Sequence, residues 1–496
     1  FNRCQPQTKV IPMDPAIELG DRPIEIGDRR ELFVDYLLIE RMTDTALKLH
    51  EPVSGGVAIR LDRPWEGPAN GPVTVLRHDD RYLMYYRSMT LTAGDDSGVL
   101  CVATSDDGAT WTKPDLGLVG RAGESGTNVT AERSGKPMLM AAVWLDEGPD
   151  VPAHERIKAL TSETLEGEKH TAFADPKGPK RLVVRCSEDG FTFSQMAQQP
   201  EIVSDLRNCF DGGNTMFWSA SEKAWVLYYR FMDGYRSMAR TTSTDFKHWT
   251  DPVPMSYGET EREQFYTNNT VPYFRAPHQY VAVAARFMEG RRVVTDAQVK
   301  TIGLYDTRGH SYDNDCADAV LLTSRAGTTT YDRTFMESFI RPGPGAQNWV
   351  SRTNYPLTGI LPCGEQQMMT FVARHYMQDT WHVERLLLRV DGFASVNAPW
   401  AGGEMLTKPL VFSGQQLEIN YRTGAAGSVR VEIQDVDGKV LPGYGLDDCT
   451  QIVGDEISRI VTWTHGADVG VLARRPVRLR WVLRDADLFS IRFGNG

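Results

Sequence analysis

The chain has 496 residues, 41% hydrophobic and 24% charged, enough to bury a large core and to form two or three domains. Its net charge is −11 and it has no Lys/Arg block that could follow a phosphate backbone, which argues against a nucleic-acid partner. It has no apolar run near the roughly 18 residues a membrane span needs.

The seven cysteines (Cys4, Cys101, Cys186, Cys209, Cys316, Cys363 and Cys449) form no CxxC pair. A structural zinc site is therefore not expected, and the thiols read as small buried hydrophobes. The chain opens on Phe1 rather than Met, and a removed signal peptide is the expectation. The sequence is silent on oligomeric state.

In chain order, residues 1–60 come first. Their ELFVDYLLIE run is strand-like, and it is expected either to pack on the body that follows or to close it. A repeat then organises residues 61–400. Each copy is a strand, a Ser/Asp/Gly turn and an aromatic: VLCVATSDDGATWT, LVVRCSEDGFTFS, SMARTTSTDFKHWT, AVLLTSRAGTTTYD and RLLLRVDGFASV. The turns align on Ser105, Ser187, Ser243, Ser324 and Arg389. Asp and Gly supply the turn conformations, and the aromatic is placed to pack between sheets. Upstream of four copies lie apolar runs rich in Tyr, Val and Phe: RYLMYYRS, KAWVLYYRF, HQYVAVAARF and QMMTFVARHY. KPMLMAAVW and RIKALTSE stand in their place in the second unit.

Five such units predict an all-β fold, a five-bladed β-propeller. Residues 401–496 alternate apolar and polar positions between turns, which predicts a C-terminal antiparallel β-sandwich.

LFVDYLLIE, RPWEGP, SDDGATWTKPDLGL, FDGGNTMFW, FYTNNTVPYFRAP, FIRPG and RLRWVLRDADLFSIRF resemble a group of exported bacterial proteins. That group is placed with the five-bladed glycoside hydrolases of the invertase, arabinanase and xylosidase type. The resemblance runs from about Glu31 to Phe493. It implies a channel active site acting on glycosides outside the cytoplasm, in a secreted or periplasmic protein. The turn also resembles the Asp box of sialidases, with Gly108 directly after Asp107 as a departure from it.

Glycoside hydrolysis normally uses two carboxyl groups flanking the scissile bond. In a propeller the innermost strands face the channel, so acids that open each unit are the candidates. Glu66 lies in RPWEGPANGP, beside Trp65 as a stacking surface. Asp211 precedes a Gly pair in FDGGNTMFW, with Asn214 following. Glu365 lies in PCGEQQMMTF. Asp211 and Glu365 are the expected catalytic pair, with Glu66 a third carboxylate. Tyr266, Asn268, Arg275 and His278 crowd one segment of the fourth unit and are expected to line a sugar subsite, with Asp318 near it.

No cofactor is required by this chemistry, and the sequence names no metal ligand set. Calcium is the one ion considered, in the channel or near Asp313 and Asp315. No GxSxG, HExxH, P-loop or dinucleotide fingerprint occurs. Two other readings stand beside the hydrolase: a non-catalytic carbohydrate-binding propeller, and a polysaccharide lyase on uronic-acid glycans.

Overall fold

The computed structural model describes residues 8–9, 22–91, 98–139, 141–165, 178–305 and 311–495. Cys4, and Met140 of the KPMLMAAVW run, lie outside them. Among the described residues the one α-helix is Asp296–Ile302, closed by a Thr295 capping box and by Gly303 at positive φ. The chain divides into two compact units, Pro52–Leu387 and Phe1–Glu51 with Leu388–Gly496.

Pro52–Leu387 is a five-bladed propeller. The first blade is Gly71–His78, Arg81–Ser88 and Val99–Ser105. The second runs Ala142–Leu145, Ile157–Thr164, Lys180–Ser187 and Thr192–Gln195. The third runs Thr215–Ser219, Ala224–Met232, Arg236–Ser243 and Val253–Pro254. The fourth has a bent inner strand, Phe265–Thr267 and Thr270–Tyr273, then Ala276–Met288 and Cys316–Arg325. The fifth has Tyr355–Pro356 and Leu361–Cys363 as its inner strand, then Gln367–Arg374 and His382–Arg389.

Each turn read from the repeat sits at the end of a third strand. In the first blade Ser105 Oγ donates to Asp107, which accepts from the Ala109 and Thr110 N–H groups. The same turn recurs at Asp189 and Asp245. The aromatic after the turn packs on the neighbouring blade: Trp111 meets Phe371 edge-on at 5.6 Å, and Tyr331 meets Tyr228 at 5.9 Å. Apolar cores fill the junctions of blades five and one, one and two, two and three, and three and four. At the junction of blades four and five the described residues include a small apolar cluster of Ala285, Ala317 and Tyr355, and Val281, Val283, Met368 and Val372 are buried as well.

The ring is closed by Val53–Arg60, which pairs antiparallel with His382–Arg389. That strand lies within residues 1–60, the segment expected to pack on or close the propeller, but it is not the ELFVDYLLIE run. Arg30–Leu32 and Ile39–Thr43 instead join the other unit, pairing with Arg478–Gly494 and Gly403–Thr407. The apolar face of that run fits a core equally well in either place, so alternation alone does not choose the partner.

The second unit is built on two long strands, Gln416–Gln434 and Arg478–Gly494, whose pairing shifts register at Asn420/Tyr421 and Thr423/Ser428. One apolar core runs through it from Ile24 to Phe493, with Phe412 and Phe493 stacked at 3.7 Å.

Candidate functional site

The N-terminal ends of the inner strands converge on a cavity of about 200 Å³ within the propeller. Blade one contributes Asn70 and Thr74, with Arg87 from its second strand. Blade two contributes Ala142 and Thr161. Blade three contributes Phe210, Asp211, Gly213 and Asn214. Blade four contributes Tyr266, Thr267 and Asn269. Blade five contributes Arg352, Tyr355, Thr358 and Tyr376.

The blade-three loop is shaped by backbone conformation. Asn208, Phe210, Gly212 and Gly213 all take positive φ. A side chain at Gly213 would meet Thr267 at about 3.0 Å, so this loop closes on blade four only with glycine there. Two other non-glycine lining residues, Asn269 (φ 54) and Arg352 (φ 58), share the left-handed region. Such residues cost of order 1–3 kcal/mol each and cluster where a site fixes its geometry.

Asp211 is the one carboxylate among the described lining residues, and its side chain is 63% exposed. The Arg230 guanidinium donates to its Oδ2 at 2.5 Å and to the Tyr266 carbonyl at 3.0 Å. Arg230 also lies 4.4 Å from the Tyr266 ring centre, so one cation ties the acid of blade three to the aromatic of blade four.

Arg352 lies against three tyrosine rings, at 5.7 Å from Tyr266, 5.4 Å from Tyr312 and 5.8 Å from Tyr376. Burial works against its charge, but Tyr266 and Tyr376 raise its pKa above the ordinary value. Burial pushes the Tyr355 phenol well up, and the Tyr376 phenol up as well.

Of the residues expected from sequence, Asp211, Asn214 and Tyr266 come together here. Asn268 sits below the surface. Its Oδ1 accepts from Thr215 Oγ1 and from the Thr270 N–H, each at 3.0 Å, which stitches blade four to blade three.

Glu66 and Trp65 do not line the cavity. The Glu66 side chain is fully buried, 2.7 Å from Lys113 Nζ, and accepts from Tyr86 Oη at 2.5 Å and from the Asp62 and Arg63 N–H groups. Trp65 is a core residue whose indole N–H donates to Asn128. A carboxylate with every partner supplied by the protein pins a loop rather than meeting a substrate.

Glu365 is exposed in the turn joining Leu361–Cys363 to Gln367–Arg374. The inner strand runs from the cavity at Tyr355 to this turn, alongside Ala373 to Gln367 of its partner strand, about 20 Å at roughly 3.3 Å per residue, and Glu365 is not among the described lining residues. Arg275 and His278 are displaced in the same way, at the turn between Thr270–Tyr273 and Ala276–Met288. Neighbouring antiparallel strands run in opposite directions, so an assignment one strand late moves a residue to the other end of the blade. The expected pair of Asp211 and Glu365 is therefore not one site.

Asp318 lines a different cleft, held by both oxygens on Arg286 at 2.8 and 2.6 Å. Asp313 meets Arg292 at 2.6 Å, and Asp315 accepts from the Gly290 N–H at 2.7 Å. Their carboxylates thus turn to separate partners. Among the described residues no group of three or more His, Cys, Asp or Glu side chains is placed to hold a metal ion.

Asn70, Arg87, Arg352, Tyr355 and Tyr376 are among the lining residues that the sequence reading did not assign to the site. A signal for Arg87 was present: YYR in RYLMYYRS recurs in KAWVLYYRF, whose arginine is Arg230.

No family model matches the chain, and no curated protein does. Solved structures do. A structure titled "Glycoside hydrolase" is 12% identical, with a TM-score of 0.41 over 68% of this chain and 92% of its own. The exo-inulinase from Aspergillus awamori is 11% identical, with a TM-score of 0.36 over 90% of this chain and 99% of its own. The catalytic domain of a GH62 α-L-arabinofuranosidase from Coprinopsis cinerea is 10% identical, with a TM-score of 0.40 over 69% of this chain and 98% of its own. Likeness at this level carries nothing about activity, because one fold hosts many chemistries.

Proposed function

We propose that the protein is a glycoside hydrolase that binds a poly- or oligosaccharide in the propeller cavity and works on it with Asp211. The observation that carries this reading is the Asp211 carboxylate, exposed in the cavity and held through Oδ2 by Arg230. Among the described residues Oδ1 makes no hydrogen bond, so it is available to take a proton from a water or a sugar hydroxyl. Tyr266 offers a ring face, and the Asn214 and Asn269 amides offer hydrogen-bonding groups of the kind that orient a sugar. Action outside the cytoplasm and a sandwich fold for the second unit belong to the same proposal.

A second reading, β-elimination on a uronate, is favoured by one observation. The Tyr376 phenol lies 3.5 Å from Arg352 Nη1, a base type and a cation side by side, with no second carboxylate among the described lining residues.

The test is a glycan panel in which reducing ends and unsaturated products are read together. Wild type, Asp211→Asn and Glu365→Gln are compared. The expected result is turnover that falls by about 10²–10⁴ in Asp211→Asn, the usual contribution of a positioned acid or base. Glu365→Gln is expected to match the wild type. Turnover that survives Asp211→Asn sinks the site assignment. Unsaturated products move the reading to elimination. Binding without turnover on every glycan leaves a binding propeller.

A further inference from the structure

We infer that Arg87 and Arg352 form an anion subsite in the cavity, which selects a sugar bearing a carboxylate or sulfate over its neutral counterpart. This rests on the reading that a carbohydrate occupies the cavity.

The repeat itself makes Arg87 stand out. Four second strands carry an arginine after their apolar run: Arg87, Arg230, Arg286 and Arg374. Three of these meet carboxylates: Arg230 meets Asp211 at 2.5 Å, Arg286 meets Asp318 at 2.6 Å, and Arg374 meets Glu384 at 3.0 Å. Arg87 has no carboxylate partner among the described residues. Its Nη2 meets the Met89 sulfur at 2.9 Å, and its Nε is buried with no hydrogen-bond partner. A guanidinium is permanently charged and its donors are arranged as a fork; among the described residues this one has no counterion and only a thioether sulfur as acceptor.

Arg352 repeats the pattern from blade five. It lies among tyrosine rings and, among the described residues, meets no carboxylate. It approaches the Tyr376 phenol, on which Arg87 also acts electrostatically.

The charge balance points the same way. Asp211 is offset by Arg230, so the described lining has two uncompensated cations in a chain of net charge −11. Half-buried cations without counterions are costly, and a forked anion on a ligand offsets that cost through paired charge-assisted hydrogen bonds. A hydroxyl supplies an acceptor but no charge. Among the described residues the buried Oδ1 atoms of Asn70 and Asn214 also lack partners.

The experiment is calorimetric binding to the full chain. The probes are oligogalacturonate and oligoglucuronate against their carboxyl-reduced forms, and sulfated disaccharides against desulfated ones. The expected result is a preference of about tenfold or more for one acidic class, weakening as salt rises. Arg87→Gln and Arg352→Gln should each remove most of that preference while thermal melts stay native. Arg352→Lys should restore part of it, because charge returns without the fork. If one glutamine variant does not fold, the other carries the test.

Equal affinity for acidic and neutral forms overturns the inference. So does a preference that survives both substitutions, or an absence of binding by every acidic probe. The carboxylate and sulfate arms identify which anion is read. Cleavage of neutral glycans alone would overturn the subsite and leave the hydrolase standing. Arginine-dependent acidic binding without any turnover would do the reverse.

Discussion

Carboxylates of similar sequence setting meet opposite fates in this chain. Asp211 and Glu66 both precede an inner strand in a Gly-rich approach. Asp211 projects into the cavity, whereas Glu66 is closed off by Lys113, Tyr86 and two backbone N–H groups. The difference lies in partners that are distant in sequence, which a local pattern does not contain. Glu66→Ala is expected to cost about 3–5 kcal/mol, since it leaves the Lys113 cation largely buried without its nearest partner. Asp62, 2.9 Å from Lys113 but exposed, keeps the cost towards the lower end. Chemical denaturation reads this directly, and a loss under 1 kcal/mol would return Glu66 to the list of functional acids.

Strands and their junctions follow a simple logic. The third-strand turns were legible because the Ser-x-Asp geometry is local, within five or six residues. The inner strand of blade five was not, because Pro356, Gly359 and Pro362 break its pattern and leave Tyr355–Pro356 and Leu361–Cys363 as short pieces. That hidden strand is why Glu365 was placed at the wrong end. The closing strand Val53–Arg60 shows the same limit, as its partner lies more than 300 residues on.

Within that strand Ile59 is 5% exposed and Val53 62%. Ile59→Ala should cost roughly 2–5 kcal/mol. Val53→Ala should stay within about 0.5 kcal/mol. Equal costs at the two positions, measured by urea unfolding, would contradict a ring closed through the Ile59 face.

Across the whole molecule, acid weakens both units through buried histidines. His50 in one unit and His375 in the propeller are each pushed down to about 4, chiefly by burial, and burial lowers His382 too. In the unfolded chain these groups titrate near 6.5, so between about pH 6.5 and 4 the unfolded state binds more protons. Their neutral forms cost nothing above that window, and stability falls as pH drops through it. The melting temperature should therefore decline steadily from pH 7 to 4.5, and His375→Gln should flatten the slope. A melting temperature independent of pH over that range would remove these histidines from the account.

By itself the sequence determined the class of fold and the number of blades. Period-two alternation and the Asp-centred turns, found at Asp107, Asp189 and Asp245, act over a few residues, so they survive without knowledge of contacts. It also singled out Asp211, Asn214 and Tyr266, which lie in or just before the inner strands of blades three and four. Only the tertiary structure decided which strand closes the ring, which unit owns residues 31–40, and which charges are compensated. Those outcomes depend on partners tens to hundreds of residues away. Arg87 and Arg230 have the same local sequence, yet one faces a carboxylate and the other does not. Pairing within blade three, where the Phe210 N–H meets the Arg230 carbonyl, brings Asp211 to Arg230 alone.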